Sequence, residues 1–144
     1  MNKPLNVGES LGPLEVDSRK RYFPTELLLS PGATYDIEVT DPKRTWMDFR
    51  ALSTAEGNMN PTLVQRWLTP LRRYREGHWF QLIGAVGRSD AHLFPIGNRT
   101  TWTFAANLTP EIQDAPALYL FANDAWLTYF NNDGTLPVRI TRIG

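Results

Sequence analysis

Apolar and polar residues alternate most cleanly from Thr34 to Val39. Tyr35, Ile37 and Val39 fall on one side there, and Asp36 and Glu38 on the other. A period of two is that of a half-buried strand. Ser30-Pro31-Gly32 before it and Asp41-Pro42-Lys43 after it are turn signals. Shorter apolar runs at 27–29, 46–52, 93–96 and 101–105 read as further strands. Residues 79–87 form a near-continuous apolar run fit for a central strand, and 117–122 is apolar on both faces. A last strand carries Val138, Ile140 and Ile143, with Arg139 and Thr141 opposite, and Pro137 suits its start or an edge. One segment has helical spacing instead. Leu63, Val64, Trp67 and Leu68 share a face, Asn60 is placed to cap it, Pro61 takes its first position and Pro70 ends it. About eight short strands and one short helix predict an all-β, two-sheet β-sandwich of jelly-roll type, the helix lying in an insertion.

Composition narrows the function. A chain of 144 residues reads as one domain, with residues 1–10 expected as a flexible N-terminus and 11–144 as the folded unit. Fifteen Lys and Arg balance fifteen Asp and Glu, and this argues against a dedicated nucleic-acid binder. With no cysteine, disulfide scaffolds, Cys-rich zinc modules and thiol catalysis are excluded. No apolar run is long enough to span a membrane, and the first ten residues lack the apolar core of a secretory signal, so the sequence leaves localisation open. The zero net charge hides an uneven distribution. Arg66, Arg72, Arg73 and Arg75 cluster mid-chain and read as a solvated face. From Thr100 to Pro137 there is no Lys or Arg, while Glu111, Asp114, Asp124 and Asp133 fall in that span, which is the place to look for a cation.

The acidic third contains Asn123-Asp124-Ala125-Trp126-Leu127-Thr128-Tyr129-Phe130-Asn131-Asn132-Asp133-Gly134. It is dense in oxygen donors of the kind calcium takes: carboxylate, side-chain amide and backbone carbonyl. The spacing is not that of an EF-hand. Asn-Asp-Gly before a strand is equally a tight-turn signal that needs no metal, and spacing alone leaves both readings open. His78 and His92 read as packing or surface residues, and Trp46, Trp67, Trp79 and Trp102 as core. No hydrolase nucleophile elbow, phosphate-binding glycine loop or zinc-protease motif occurs, so the chain reads as a binder and not an enzyme.

The loop resembles the calcium loop of the LecA-like (PA-IL-like) bacterial galactophilic lectins, whose pattern Asn-Asp-x-x-x-Thr-x-x-Asn-Asn-x-Gly is met by Asn123, Asp124, Thr128, Asn131, Asn132 and Gly134. Pro31-Gly32, the strand leading to Trp46-Met47-Asp48-Phe49, the run from Leu82 to Gly87 and Phe94-Pro95-Ile96-Gly97 resemble further family motifs in the same order. The resemblance implies a galactose-binding-type β-sandwich and a Ca2+ ion held by the side chains of Asp124, Asn131 and Asn132 and the carbonyls of Thr128 and Phe49. It also implies sugar hydroxyls completing the coordination. Asp124 and Asn131 are then the expected sugar contacts, and Trp126, inside the loop, is either an exposed ring on which a sugar stacks or is packed beneath the loop. The implied function is a calcium-dependent, lectin-like carbohydrate-binding module for a galactose-type sugar, working as a homo-oligomer or as part of a larger protein. The segment 51–79 departs from the pattern: it is longer and basic, and lacks the family's His and Gln. An alternative expectation follows, a degenerate LecA-like domain in which Arg72 and Arg73 dock a protein partner and no sugar binds.

Overall fold

The computed structural model describes residues 2–58, 61–105 and 116–144. Among these, strands follow in the order β1 (Ser10–Asp17), β2 (Phe23–Leu28), β3 (Thr34–Val39), β4 (Trp46–Asp48), β5 (Ala51–Ser53), β6 (Leu82–Val86), β7 (Leu93–Pro95), β8 (Arg99–Thr103), β9 (Ala117–Ala122), β10 (Asn132–Asp133) and β11 (Thr135–Arg142). One short helix, α1 (Leu63–Trp67), lies between β5 and β6. Two four-stranded antiparallel sheets, β1-β11-β3-β8 and β2-β9-β6-β7, form a β-sandwich, with a small third sheet, β10-β4-β5, at its end.

The core follows from the period-two pattern. Tyr35, Ile37 and Val39 of β3 and Leu136, Val138 and Ile140 of β11 meet Leu82 and Val86 of β6 and Leu118, Leu120 and Ala122 of β9. Burying a side chain of this size contributes about 1.5–3 kcal/mol. β6 and β9 are buried on both faces because their outer residues, Ile83, Ala85 and Phe121, pack under Tyr22, Tyr74 and Tyr129. Gly84 is required on β6: an added Cβ would stand 2.3 Å from the ring of Phe94 on the neighbouring strand.

Several expectations are corrected. Two strands, β1 and β10, lie where no strand is expected, and the run 46–52 is a hairpin of β4 and β5. The run 79–87 is strand only over Leu82–Val86, because Phe80 turns the chain with φ 62°. Pro137 sits inside β11, a central strand. Pairing with β3 begins one residue later, at Val138↔Val39. The residues before β1 also pack on the sandwich: Lys3 bridges Leu27 and Leu5 is buried.

The helix departs most. It starts after Thr62, whose hydroxyl accepts from the Gln65 amide while the Gln65 side-chain oxygen accepts from the Thr62 amide. The expected cap, Asn60, lies outside the described residues. Its apolar face points outward, with Leu63 72%, Val64 66% and Trp67 79% exposed, and the residue it buries is Gln65. Trp67 is therefore not core, whereas Trp46 and Trp79 are buried and Trp102 stacks on Phe94. Period alone cannot tell an inward from an outward apolar face; a polar anchor on the helix decided it.

Candidate functional site

Asp124 is the second residue after β9 and is buried. Its Oδ1 accepts hydrogen bonds from the Ala125 amide and the Thr128 hydroxyl, each 2.7 Å, while its buried Oδ2 has no partner. Burial drives its pKa upward, against the lowering effect of those hydrogen bonds. The preceding residue, Asn123, is fully buried and ties the loop down: its carboxamide accepts from the Tyr74 amide and donates to the Tyr74 and His78 carbonyls.

The β10–β4 ladder pairs Asn132 with Asp48, and the Phe49 amide donates to the Asn131 carbonyl. These contacts set Asp48 and Phe49 beside Asn131 and Asn132. Trp46, at the head of β4, is buried and donates its indole N–H to the Phe80 carbonyl, which fixes β4 to the sandwich. Gly134, with φ 92°, lets the chain turn against the Trp46 backbone into β11. Phe49 itself has φ 56° in the two-residue turn between β4 and β5, at a position that a type II′ hairpin usually gives to glycine. Residues in this region cost of order 1 kcal/mol and cluster at functional sites.

The polar groups then converge. One end of the Asn131 carboxamide lies 2.6 Å from the Thr128 carbonyl, 3.0 Å from Asn132 Oδ1 and 3.2 Å from Asp48 Oδ1. The Asn132 amide nitrogen donates to the Ser18 carbonyl. With nitrogen at the inner end, the two N–H groups of Asn131 are shared among three oxygens and close the site without a metal. With oxygen there, four oxygens meet beside the unpartnered Asp124 Oδ2, an arrangement that a cation stabilises. The donor set is all oxygen, and two carboxylates bear on it. No three His, Cys, Asp or Glu residues come together among the described residues, so any ion would rely on amides and carbonyls as well.

Asp48 was missed by the sequence reading. Burial, then the nearby charge of Asp124, pushes its carboxyl up to about 6, against the lowering effect of the Gln65 amide, which donates to Oδ2 at 2.7 Å. Only its place directly before Phe49 could have signalled it. Gln65 explains the inverted helix: α1 is moored through its polar residue to the site.

A cavity of about 580 Å³ opens beside these oxygens. Asp48, Asp124, Thr128 and Asn131 line its polar end, and Phe49, Val64, Leu68, Trp79 and Phe130 make the rest largely apolar. Trp126 is not on this cavity. Its ring packs edge-on against Tyr22 on the other side of the loop, with the guanidinium groups of Arg73 and Arg21 4.7 and 5.5 Å from its centroid.

Arg73 also departs from expectation. Its side chain is 3% exposed, so it is not part of a solvated face. It forms a two-pronged pair with Asp90 at 2.7 and 3.0 Å and donates to the Arg21 carbonyl and the Tyr129 hydroxyl. It lies 3.6 Å from the Phe121 ring centroid, and its amide donates to the Asp124 carbonyl. Arg72 spreads against Trp79 and its backbone bridges Ala125. Both arginines brace the loop that carries Asp124. His78 is exposed and meets the loop through its carbonyl alone.

The fold as a whole is a two-sheet β-sandwich with solved counterparts. The structure is similar to a solved one described as the EclA N-terminal domain, a PllA-like lectin, with a TM-score of 0.57 and 22% sequence identity over 92% of this chain and 94% of that one. The sequence matches no protein-family model, and no curated protein matches it. Among the described residues, no helix is long and apolar enough to cross a membrane.

Proposed function

We propose that the chain is a calcium-dependent carbohydrate-binding module that binds and does not catalyse. The observation that carries this reading is the all-oxygen cluster at the polar end of the cavity, with Asp124 Oδ2 buried and unpartnered. Buried polar atoms are rarely left unpaired, and a hard cation with oxygen ligands relieves both this one and the crowded Asn131 contact. Asp124, Asn131, Asn132 and the Thr128 carbonyl would hold the ion, with the Phe49 carbonyl as the fifth group implied by the family likeness. Asp48 adds a second negative charge. Bound calcium would supply open coordination positions for two neighbouring sugar hydroxyls. The lectin description of the structural neighbour supports the same reading.

The cavity wall refines the ligand. Phe49, Val64, Trp79 and Phe130 lie next to the oxygens, so a sugar held by its hydroxyls would direct its next substituent onto an apolar surface. A galactose-type sugar with an apolar or aromatic aglycone is the expected ligand. Open sugar sites bury little area and bind weakly, so avidity from several copies is expected.

Calorimetry tests this. Calcium titrated into chelator-stripped protein should give a saturable heat, and galactose or phenyl galactoside should bind only afterwards, the phenyl compound more tightly. Asp124→Asn should remove both heats. Absence of a calcium heat, or sugar binding that persists in chelator, would sink the proposal.

A further inference from the structure

A second cleft, of about 890 Å³, lies beyond the Asp124 loop on the outer side of the β2-β9 edge. Among the described residues its lining includes Arg19, Lys20, Arg21, Arg88, Tyr119 and Trp126, and no Asp or Glu. Four cations on one concave surface are conspicuous in a chain whose formal charge is zero.

Two of the four are held in place. Arg19 is paired with Asp17 at 3.2 Å, and the Arg21 Nε–H donates to the Trp126 carbonyl at 2.7 Å. The other two, Lys20 and Arg88, are exposed and form no ion pair among the described residues. The aromatic part is rigid: Tyr22 packs edge-on against both Tyr119 and Trp126, and Arg73 braces Trp126 from within. Trp126 nevertheless remains 44% exposed. Cations around a fixed aromatic surface match a ligand with anionic substituents and a C–H-rich face to stack.

The extent of the charge selects among anionic ligands. A nucleic acid presents a phosphate at every nucleotide and needs a basic track that continues along the surface. Here Asp17 pairs with Arg19, the charge of Asp133 bears on Arg19 as well, and Asp90 binds the Tyr22 hydroxyl, so carboxylates bound the cleft. A short ligand with few charges fits such a surface. We propose that this cleft is a second carbohydrate site, independent of calcium, for a short oligosaccharide bearing sulfate or carboxylate groups.

The test uses the intact chain in excess chelator, where the calcium-dependent site is silent. The probes are a heparin-derived tetrasaccharide, a neutral tetrasaccharide, an oligogalacturonate and a short single-stranded oligonucleotide. The sulfated or carboxylated sugar should bind, weaken steeply between about 50 and about 200 mM salt, and shift the amide resonances of Lys20, Arg88 and Trp126. The exposed double change Lys20→Glu with Arg88→Glu should weaken it by about tenfold or more. Three results would overturn the proposal: no binding of either acidic sugar, equal binding by the double variant, or equal binding of the oligonucleotide or the neutral probe. Failure of the calcium site would leave each of these outcomes readable.

Discussion

At the scale of single residues, the site is decided by where charge is buried. Asp48 and Asp124 are carboxylates that burial makes harder to ionise, and the charge of Asp124 adds to the effect on Asp48. Replacing Asp48 by Asn keeps the shape and removes one charge. In chelator, Asp48→Asn should raise the melting temperature, because the repulsion is gone; its calcium affinity should fall by about tenfold, as expected for the loss of one charged ligand-side group. Differential scanning fluorimetry and calorimetry on the same samples read both effects. Arg73 acts in the opposite sense. It is a buried cation whose charge is matched by Asp90 and faced by aromatic rings. Arg73→Met should cost about 2 kcal/mol in a denaturant titration, since the partly exposed Asp90 keeps only the Tyr22 hydroxyl and the Arg21 carbonyl loses its donor. The same variant should weaken calcium binding although it touches no ion, through the Asp124 carbonyl that its backbone holds. Arg73→Lys should recover stability only in part, because lysine cannot reproduce the two-pronged pair.

At the scale of elements, the site is a meeting of a loop, a hairpin and a helix. The loop motif from Asn123 to Gly134 was legible because its residue types and spacing are unusual in themselves. The hairpin was read as one strand, because nothing in Asp48-Phe49-Arg50 announces a turn: the residue with positive φ is a phenylalanine. Phe49→Gly makes that strain measurable. It should raise stability by about 0.5 kcal/mol, the relief of the left-handed conformation less the entropy of glycine. It should also weaken the binding of a phenyl galactoside more than that of galactose, since Phe49 lines the apolar wall. A loss of stability in the same titration would show that the turn is not strained. The helix was recognised by its period but given the wrong inner face. Its outward Leu63, Val64 and Trp67 leave an apolar surface beside the cavity, while Gln65 reaches Asp48.

At the scale of the whole molecule, the oxygen cluster joins parts far apart in sequence: β4, the loop after β9, and β10, with Ser18 holding Asn132 from behind β1. An ion bound there would cross-link elements that must all be in place for it to bind. Calcium at a hundredfold excess over its dissociation constant should therefore add about 2.7 kcal/mol to the unfolding free energy. Thermal unfolding should shift upward with calcium and return in chelator, and should respond less to magnesium, which demands a smaller and more regular site. No shift with calcium would mean that Asn131 closes the site with its nitrogen inward.

The sequence by itself determined the β-sandwich, most of its strands and the loop that carries Asp124, Thr128, Asn131 and Asn132. Those features are local: alternation reports which face is buried, and the loop's donors lie within a dozen residues of one another. Tertiary structure alone decided that Asp48 joins them, that Arg73 is a buried brace, that Trp126 faces a different cleft, and that α1 turns its apolar face outward. Each of these depends on which distant groups are neighbours, and burial, charge pairing and cavity shape exist only once the two sheets have closed.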